Sequence, residues 1–167
     1  MKDLFTLDIK NYLPQWNKEK RDSSRGIIIA KGKKVLPFSP DDKISLVYAK
    51  KQGYYKFPGG GIHADEDRID ALIREVSEET DLSVIRKSIK EFGKVIRFQK
   101  STHSECTIFE QESFYYFADV EDKIHEQNLD SYEMDAGFEL RTVTIKEAVS
   151  TNMQYKSKDS FDLLMIA

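Results

Sequence analysis

The segment Phe57 to Leu82 reads FPGGGIHADEDRIDALIREVSEETDL, and its chemistry begins with three glutamates. Glu75 and Glu78 are spaced i, i+3, and Glu75 and Glu79 i, i+4, so on a helix all three project to one side. Like charges at that spacing repel by about 0.2–0.5 kcal/mol per pair. A hard divalent cation removes the penalty and turns the patch into a site. An all-oxygen ligand set favours Mg²⁺ or Mn²⁺ over Zn²⁺, which prefers His and Cys. Just upstream lie Gly59, Gly60 and Gly61. A glycine run feeding a helix lets the backbone approach an anion or a metal closely. A charged triplet alone is ordinarily a solvated helix face; the glycine run before it sets this one apart.

The carboxylates need a helix to carry them. Ile69, Leu72, Ile73 and Val76 recur at i, i+3, i+4, i+7, which predicts an amphipathic helix from about Asp65 to Thr80. Asp65, Glu66 and Asp67 put negative charge at its start, where the helix dipole favours it. Strands are expected at Arg25–Ala30, where Ile27, Ile28 and Ile29 suit a strand covered on both faces. Others are expected at Ile44–Ala49, Phe92–Phe98, Ser113–Val120 and Phe138–Thr144. The Phe114–Phe117 aromatics read as core, with one of Tyr115 or Tyr116 free to face a ligand. Lys31 to Asp42, with Gly32, Pro37 and Pro40, reads as a surface loop. Short helices are expected at Ile145–Ser150 and near Asp159–Ile166. Strands interleaved with helices make an α/β layered fold.

The chain has 167 residues, 40% of them apolar and 33% charged, with a net charge of −3. That suits one domain over residues 1–167. The charge argues against binding a nucleic-acid polymer or an acidic membrane, which needs a basic field. A small polyanion held through metal remains compatible with it. Cys106 is the lone cysteine, so no internal disulfide forms. The charged stretch Met1 to Asn11 does not read as a signal peptide, and no apolar run approaches a membrane span. The expected compartment is the cytoplasm. His63, His103 and His125 are scattered and read as surface residues.

The segment resembles the box of the Nudix hydrolases, G-x5-E-x7-R-E-U-x-E-E-x-G-U with U aliphatic. Gly60 opens it. Glu66, Arg74, Glu75, Val76, Glu78, Glu79 and Leu82 follow at the required spacings, and Phe57-Pro58-Gly59 matches the usual approach. Only the penultimate glycine differs, being Asp81 here. That position lies where a left-handed residue commonly ends a helix, and Asp enters this conformation more readily than most. The resemblance implies a Nudix-type α/β/α sandwich with a mixed sheet. It also implies hydrolysis of the diphosphate linkage in a nucleoside diphosphate joined to another group. It makes Glu78 and Glu79 metal ligands, Glu75 a ligand or the base that deprotonates water, and the Gly60 carbonyl a further ligand. Arg74 would hold the carboxylates by charge-assisted hydrogen bonds, and Glu66 would brace the loop–helix joint.

The family often adds a carboxylate outside the box. The candidate is Glu133, in the loop before the strand Phe138–Thr144, with Glu110 and Glu112 as rivals. Gly59, Gly60 and Gly61 would line the substrate. Arg25, Lys56 and Arg97 are candidate phosphate contacts, with surface solvation the alternative for each. Substrate choice lies outside the box. No proline follows Pro58, against the ADP-ribose and NADH patterns, and the arginine-rich lead of coenzyme A hydrolases is absent before Phe57. Nucleoside triphosphates come first, with nucleotide sugars and dinucleoside polyphosphates next. An isoprenoid diphosphate isomerase would need a cysteine before the box. A nucleotide-sensing module could spare box carboxylates, and all three are present. Many relatives are homodimers, but no interface is legible in the sequence.

Overall fold

The computed structural model describes residues 1–29, 38–122, 129 and 131–154. The expected helix near Asp159–Ile166, His125 and most of the loop Lys31–Asp42 lie outside these residues.

The central strand is β3 (Ser23–Ile29). Ile27 packs on one face of the sheet with Tyr55, Phe57, Val95 and Tyr115. Ile28 packs on the other with Phe114 and Tyr116. A strand buried on both faces accounts for its unbroken isoleucine run. β3 runs parallel to β9 (Thr107–Phe117) and antiparallel to β4 (Lys43–Ala49). The path through the main sheet is β1 (Asp3–Asp8), β8 (Lys90–Lys100), β9, β3, β4 and β11 (Phe138–Thr144). β2 (Asn17–Lys20), β5 (Tyr54–Lys56) and β6 (Gly59–Gly61) join at β9, β4 and β3. A separate small pair joins β7 (Leu82–Val84) to β10 (Val120–Asp122).

Helices cover both faces. α1 (Arg68–Glu79) lays Leu72 and Val76 against Ile28, Phe114 and Tyr116. α3 (Ile145–Gln154) places Ala148 and Val149 against the opposite face. The expected α/β/α sandwich with a mixed sheet is therefore present. The aromatics of β9 are core as expected: Phe114, Tyr115 and Tyr116 are all buried.

Several expectations need correction. β9 starts at Thr107 rather than Ser113, and β8 reaches Lys100. The polar half of that hairpin is held by cross-strand charges: Glu110 meets Lys18, and Glu112 meets both Lys20 and Lys94. Helix α1 begins at Arg68, because Asp67 caps it by accepting from the Ile69 N–H, and Asp65 sits at positive φ in the preceding turn. Its exit is not left-handed at Asp81. Thr80 leaves the helix extended (φ −138°, ψ 163°), and its hydroxyl donates to the Val76 carbonyl while accepting from the Leu82 N–H. The threonine does the capping that a glycine would otherwise do, so the box needs no glycine at position 81.

Candidate active site

The turn feeding α1 is built on three adjacent glycines, each for its own reason. Gly59 has φ +137°, a conformation side chains avoid, and a methyl there would lie 2.8 Å from the Arg25 Cα. Gly60 has ordinary φ, but a methyl there would lie 2.6 Å from the carboxyl carbon of Glu75. Gly61 also has ordinary φ, and a methyl there would lie 2.9 Å from an Arg21 guanidinium nitrogen. β6 can therefore pair with β3 while Glu75 closes over one of its faces.

Two of the box glutamates are buried. Glu75 is 9% exposed and Glu79 only 1%. α1 packs on β3, β6 and β11, and Glu75 and Glu79 are covered while Glu78 stays 36% exposed in its side chain. Burying charge demands partners. Glu79 accepts from Lys56 Nζ at 2.6 Å and from the Gly59 N–H at 2.8 Å. Glu75 accepts from Arg74 at 2.7 Å. Burial pushes the Glu75 carboxyl above its ordinary range; Arg74 pulls the other way, and the charges of Glu79 and Glu78 add to the rise.

Arg74 is the hub. Its guanidinium donates to both oxygens of Glu66 at 2.8 Å, to Glu75, to Glu78 at 3.1 Å and to the Gly61 carbonyl at 3.0 Å. Glu66 also accepts from the His63 N–H at 3.0 Å. The Arg74 bonds hold the Glu66 carboxyl down at about 2, and Glu66 in turn raises Arg74. Planar fork geometry suits arginine to this bracing of loop to helix.

The candidate carboxylate from outside the box sits in different local structure from that expected. Glu133 lies in the first turn of α2 (Ser131–Ala136), not in a loop. Carboxylate oxygens of Glu75, Glu79 and Glu133 lie within 4.8 Å of one another. Glu78 stands outside that group, tied to Arg74. The rivals Glu110 and Glu112 are on β9, neutralised by lysines. Three hard oxygen donors, two of them buried beside a cradle that a single Cβ would fill, fit a divalent cation of the Mg²⁺ or Mn²⁺ kind.

The three candidate phosphate contacts are placed differently. Arg25 donates to the carbonyls of Phe57 (3.2 Å) and Gly59 (2.9 Å), so it braces the glycine strand from behind. Lys56 is engaged by Glu79 and stands 4.3 Å from the Phe138 ring centroid. Arg97 lies on β8, two strands from β3, and donates to Gln99. A cavity of about 280 Å³ is lined by Asp67, Arg68, Ile69, Ile89, Glu91 and Tyr116. It lies at the opposite end of α1 from Glu79, about 18 Å along a twelve-residue helix. The converging carboxylates, rather than this cavity, form the candidate site. Among the described residues, no helix is long and apolar enough to cross a membrane.

Comparison with known proteins follows the same lines. The family model for the NUDIX domain matches residues 30–164. A curated relative, the uncharacterized Nudix hydrolase YvcI of Bacillus subtilis, is 36% identical over 50 residues, a match spanning 30% of this chain and 32% of that protein. Among solved structures, a NUDIX hydrolase from Nitrosomonas europaea superposes with a TM-score of 0.57 at 19% identity, covering 89% of this chain and 88% of the other. The MutT protein from Bacillus halodurans gives 0.53 at 21%, covering 78% and 72%. The NUDIX domain of Shewanella oneidensis NrtR, in a cocrystal with ADP ribose, gives 0.55 at 15%, covering 84% and 83%. At these identities the structures speak to the fold.

Proposed function

This chain belongs to the Nudix family, and from that footing we propose that it is a Mg²⁺- or Mn²⁺-dependent hydrolase of a diphosphate linkage in a nucleotide. Nucleoside triphosphates are the first candidates, cut to nucleoside monophosphate and pyrophosphate. ADP ribose, nucleotide sugars and dinucleoside polyphosphates are the alternatives. The observation that carries this reading is the convergence of Glu75, Glu79 and Glu133 beside the glycine strand.

A divalent cation held there would neutralise charge on the phosphate oxygens and lower the pKa of a water molecule. Glu79 and Glu133 are assigned as its ligands, with Glu78 and the Gly60 carbonyl completing the set. Glu75 is a further ligand or the base. In the second role its carboxylate takes the proton as the water oxygen bonds to phosphorus. The bridging P–O bond then breaks, and its electron pair leaves with the departing phosphate. Arg74 positions Glu75 and Glu78, and Glu66 positions Arg74. Lys56 and Arg25 act on the site through Glu79 and the glycine carbonyls. Such chemistry rests mainly on positioning and electrostatics.

The test is turnover of a panel of those four substrate classes with Mg²⁺, with Mn²⁺ and after chelation, read as product phosphates. Activity on at least one substrate that vanishes on chelation and falls by about a hundredfold or more in Glu79→Gln is expected. Full activity after chelation, or in Glu79→Gln, would refute the assignment.

A further inference from the structure

The third glycine of the turn has no backbone reason to be glycine. Its φ is ordinary, yet the position where its Cβ would stand is occupied: the Arg21 guanidinium lies 2.9–3.4 Å from that point. Arg21 is exposed, and its guanidinium has no hydrogen-bond or ion-pair partner among the described residues. The neighbouring cations are all engaged. Lys18 meets Glu110, Lys20 meets Glu112 and Asp22, Lys94 meets Glu112 and Asp3, and Arg25, Lys56 and Arg74 hold the turn itself. Among the described residues, one cation thus rests on the glycine strand without an anion.

Register defines what stands beside it. β3 and β9 run parallel with Ser23 opposite Ser113, and the Arg21 N–H donates to the Glu110 carbonyl, so the pairing continues to bring Arg21 beside Gln111. Gln111 is opposite Arg97 on β8. Side chains alternate along a strand. Arg21 shares its face with Ser23, Gln111 with Ser113, and Arg97 with Val95. The hydroxyls of Ser23 and Ser113 meet at 2.8 Å, and Val95 packs with Tyr115. Arg21, Gln111 and Arg97 therefore form one cross-strand row, on the sheet face away from α1. Arg97 Nη2 donates to Gln99 within it.

We propose that this row receives the anionic, non-reacting part of the substrate, with Arg21 making the phosphate contact. The inference rests on the hydrolase reading above and names which side of the glycine strand the substrate occupies. β6 pairs only with β3 and carries no side chains, so it raises no wall between the row and the carboxylates. Gly61 lies about 7 Å along the strand from Gly59, whose N–H holds Glu79. A guanidinium fork matches two phosphate oxygens, and the Gln111 amide offers both a donor and an acceptor to a sugar or base. The substrate class is a nucleotide with at least two phosphates.

The experiment compares wild type, Arg21→Ala, Arg21→Lys and Gly61→Ala. ATP and ADP ribose with Mg²⁺ serve for kinetics, and the non-hydrolysable α,β-methylene ATP for calorimetric binding. Loss of Arg21 is expected to raise KM and Kd about tenfold or more while kcat moves by less than about threefold. Arg21→Lys should recover part of the loss, because it keeps the charge without the fork. Gly61→Ala should also raise KM and Kd, by pushing the guanidinium off the strand. An unchanged Tm in Arg21→Ala separates this from misfolding. Wild type that binds the methylene analogue without cutting any nucleotide would sink the hydrolase reading and leave the row standing, provided Arg21→Ala weakens that binding. Equal KM and Kd in wild type and Arg21→Ala overturn the row, as does a wild type that neither binds nor cuts either nucleotide.

Discussion

Lys56 and Glu79 form a buried ion pair, with Nζ 2.6 Å from Oε1 and side chains only 12% and 1% exposed. The ammonium thus neutralises the carboxylate that the site would offer to a divalent ion. Removing one partner of such a pair leaves an uncompensated buried charge, at a cost of about 3–5 kcal/mol. Lys56→Met should therefore lower the metal-free Tm strongly, and Mg²⁺ should restore more of it than the same Mg²⁺ adds to wild type. Thermal melts with chelator and with excess Mg²⁺ measure both. Equal Mg²⁺ increments in the two proteins would show that the cation does not take over from the lysine at Glu79.

Gly60 and Gly53 separate two reasons for glycine. Gly60 has ordinary backbone geometry, but a methyl would press into the Glu75 carboxylate. Gly53 has φ +80° with nothing within 4 Å of its missing Cβ. Gly60→Ala should reduce kcat/KM by about a hundredfold, because small displacements of catalytic groups are expensive. Gly53→Ala should lose about 1 kcal/mol of stability from backbone strain and keep its activity. Denaturation and kinetics on both variants test the pair; full activity in Gly60→Ala would remove Glu75 from the site.

The features legible in the sequence were those written locally. The helix stripe Ile69, Leu72, Ile73 and Val76, the isoleucine run of β3 and the aromatics of β9 each carry a periodicity or composition that one element explains. The spacing of Glu75, Glu78 and Glu79 said which side of α1 they share. It could not say that β3, β6 and β11 bury two of them, because that cover comes from distant chain. Long-range pairing hid the same kind of fact elsewhere. Asn17–Lys20 has no apolar pattern, and it is a strand because it lies parallel to β9. Glu133 was legible only by its place before β11; that it sits on a helix with its oxygens near Glu75 and Glu79 depends on tertiary packing. The partner of Gly61 was invisible, since Arg21 is forty residues away.

Glu66 gives the fold a pH dependence of known sign. Its carboxyl titrates at about 2 in the folded chain against an ordinary 4.5, because Arg74 and the His63 N–H bind the ionised form. A lowered folded pKa means the unfolded chain binds the proton first. The contribution is complete above pH 4.5 and is lost as pH falls towards 2. Glu66→Gln should be less stable than wild type at neutral pH, and the gap should close on acidification through that window. Urea denaturation across pH 7 to 3 follows it. A gap that stays constant throughout would mean that charge on Glu66 contributes nothing.

Glu133 supplies the sharpest test of the metal assignment, because it is the member of the cluster that lies outside the box. Its oxygen stands within 4.8 Å of those of Glu75 and Glu79, yet the residue is half-buried at the start of a six-residue helix. Glu133→Gln keeps the shape of the side chain and removes only its charge, so folding should be preserved to within about 1 kcal/mol. Losing one of three converging carboxylates should weaken Mn²⁺ binding by about tenfold or more. Titration of Mn²⁺ by electron paramagnetic resonance reads this directly, without any substrate. Unaltered Mn²⁺ affinity in a folded Glu133→Gln would assign the cation to the box glutamates alone.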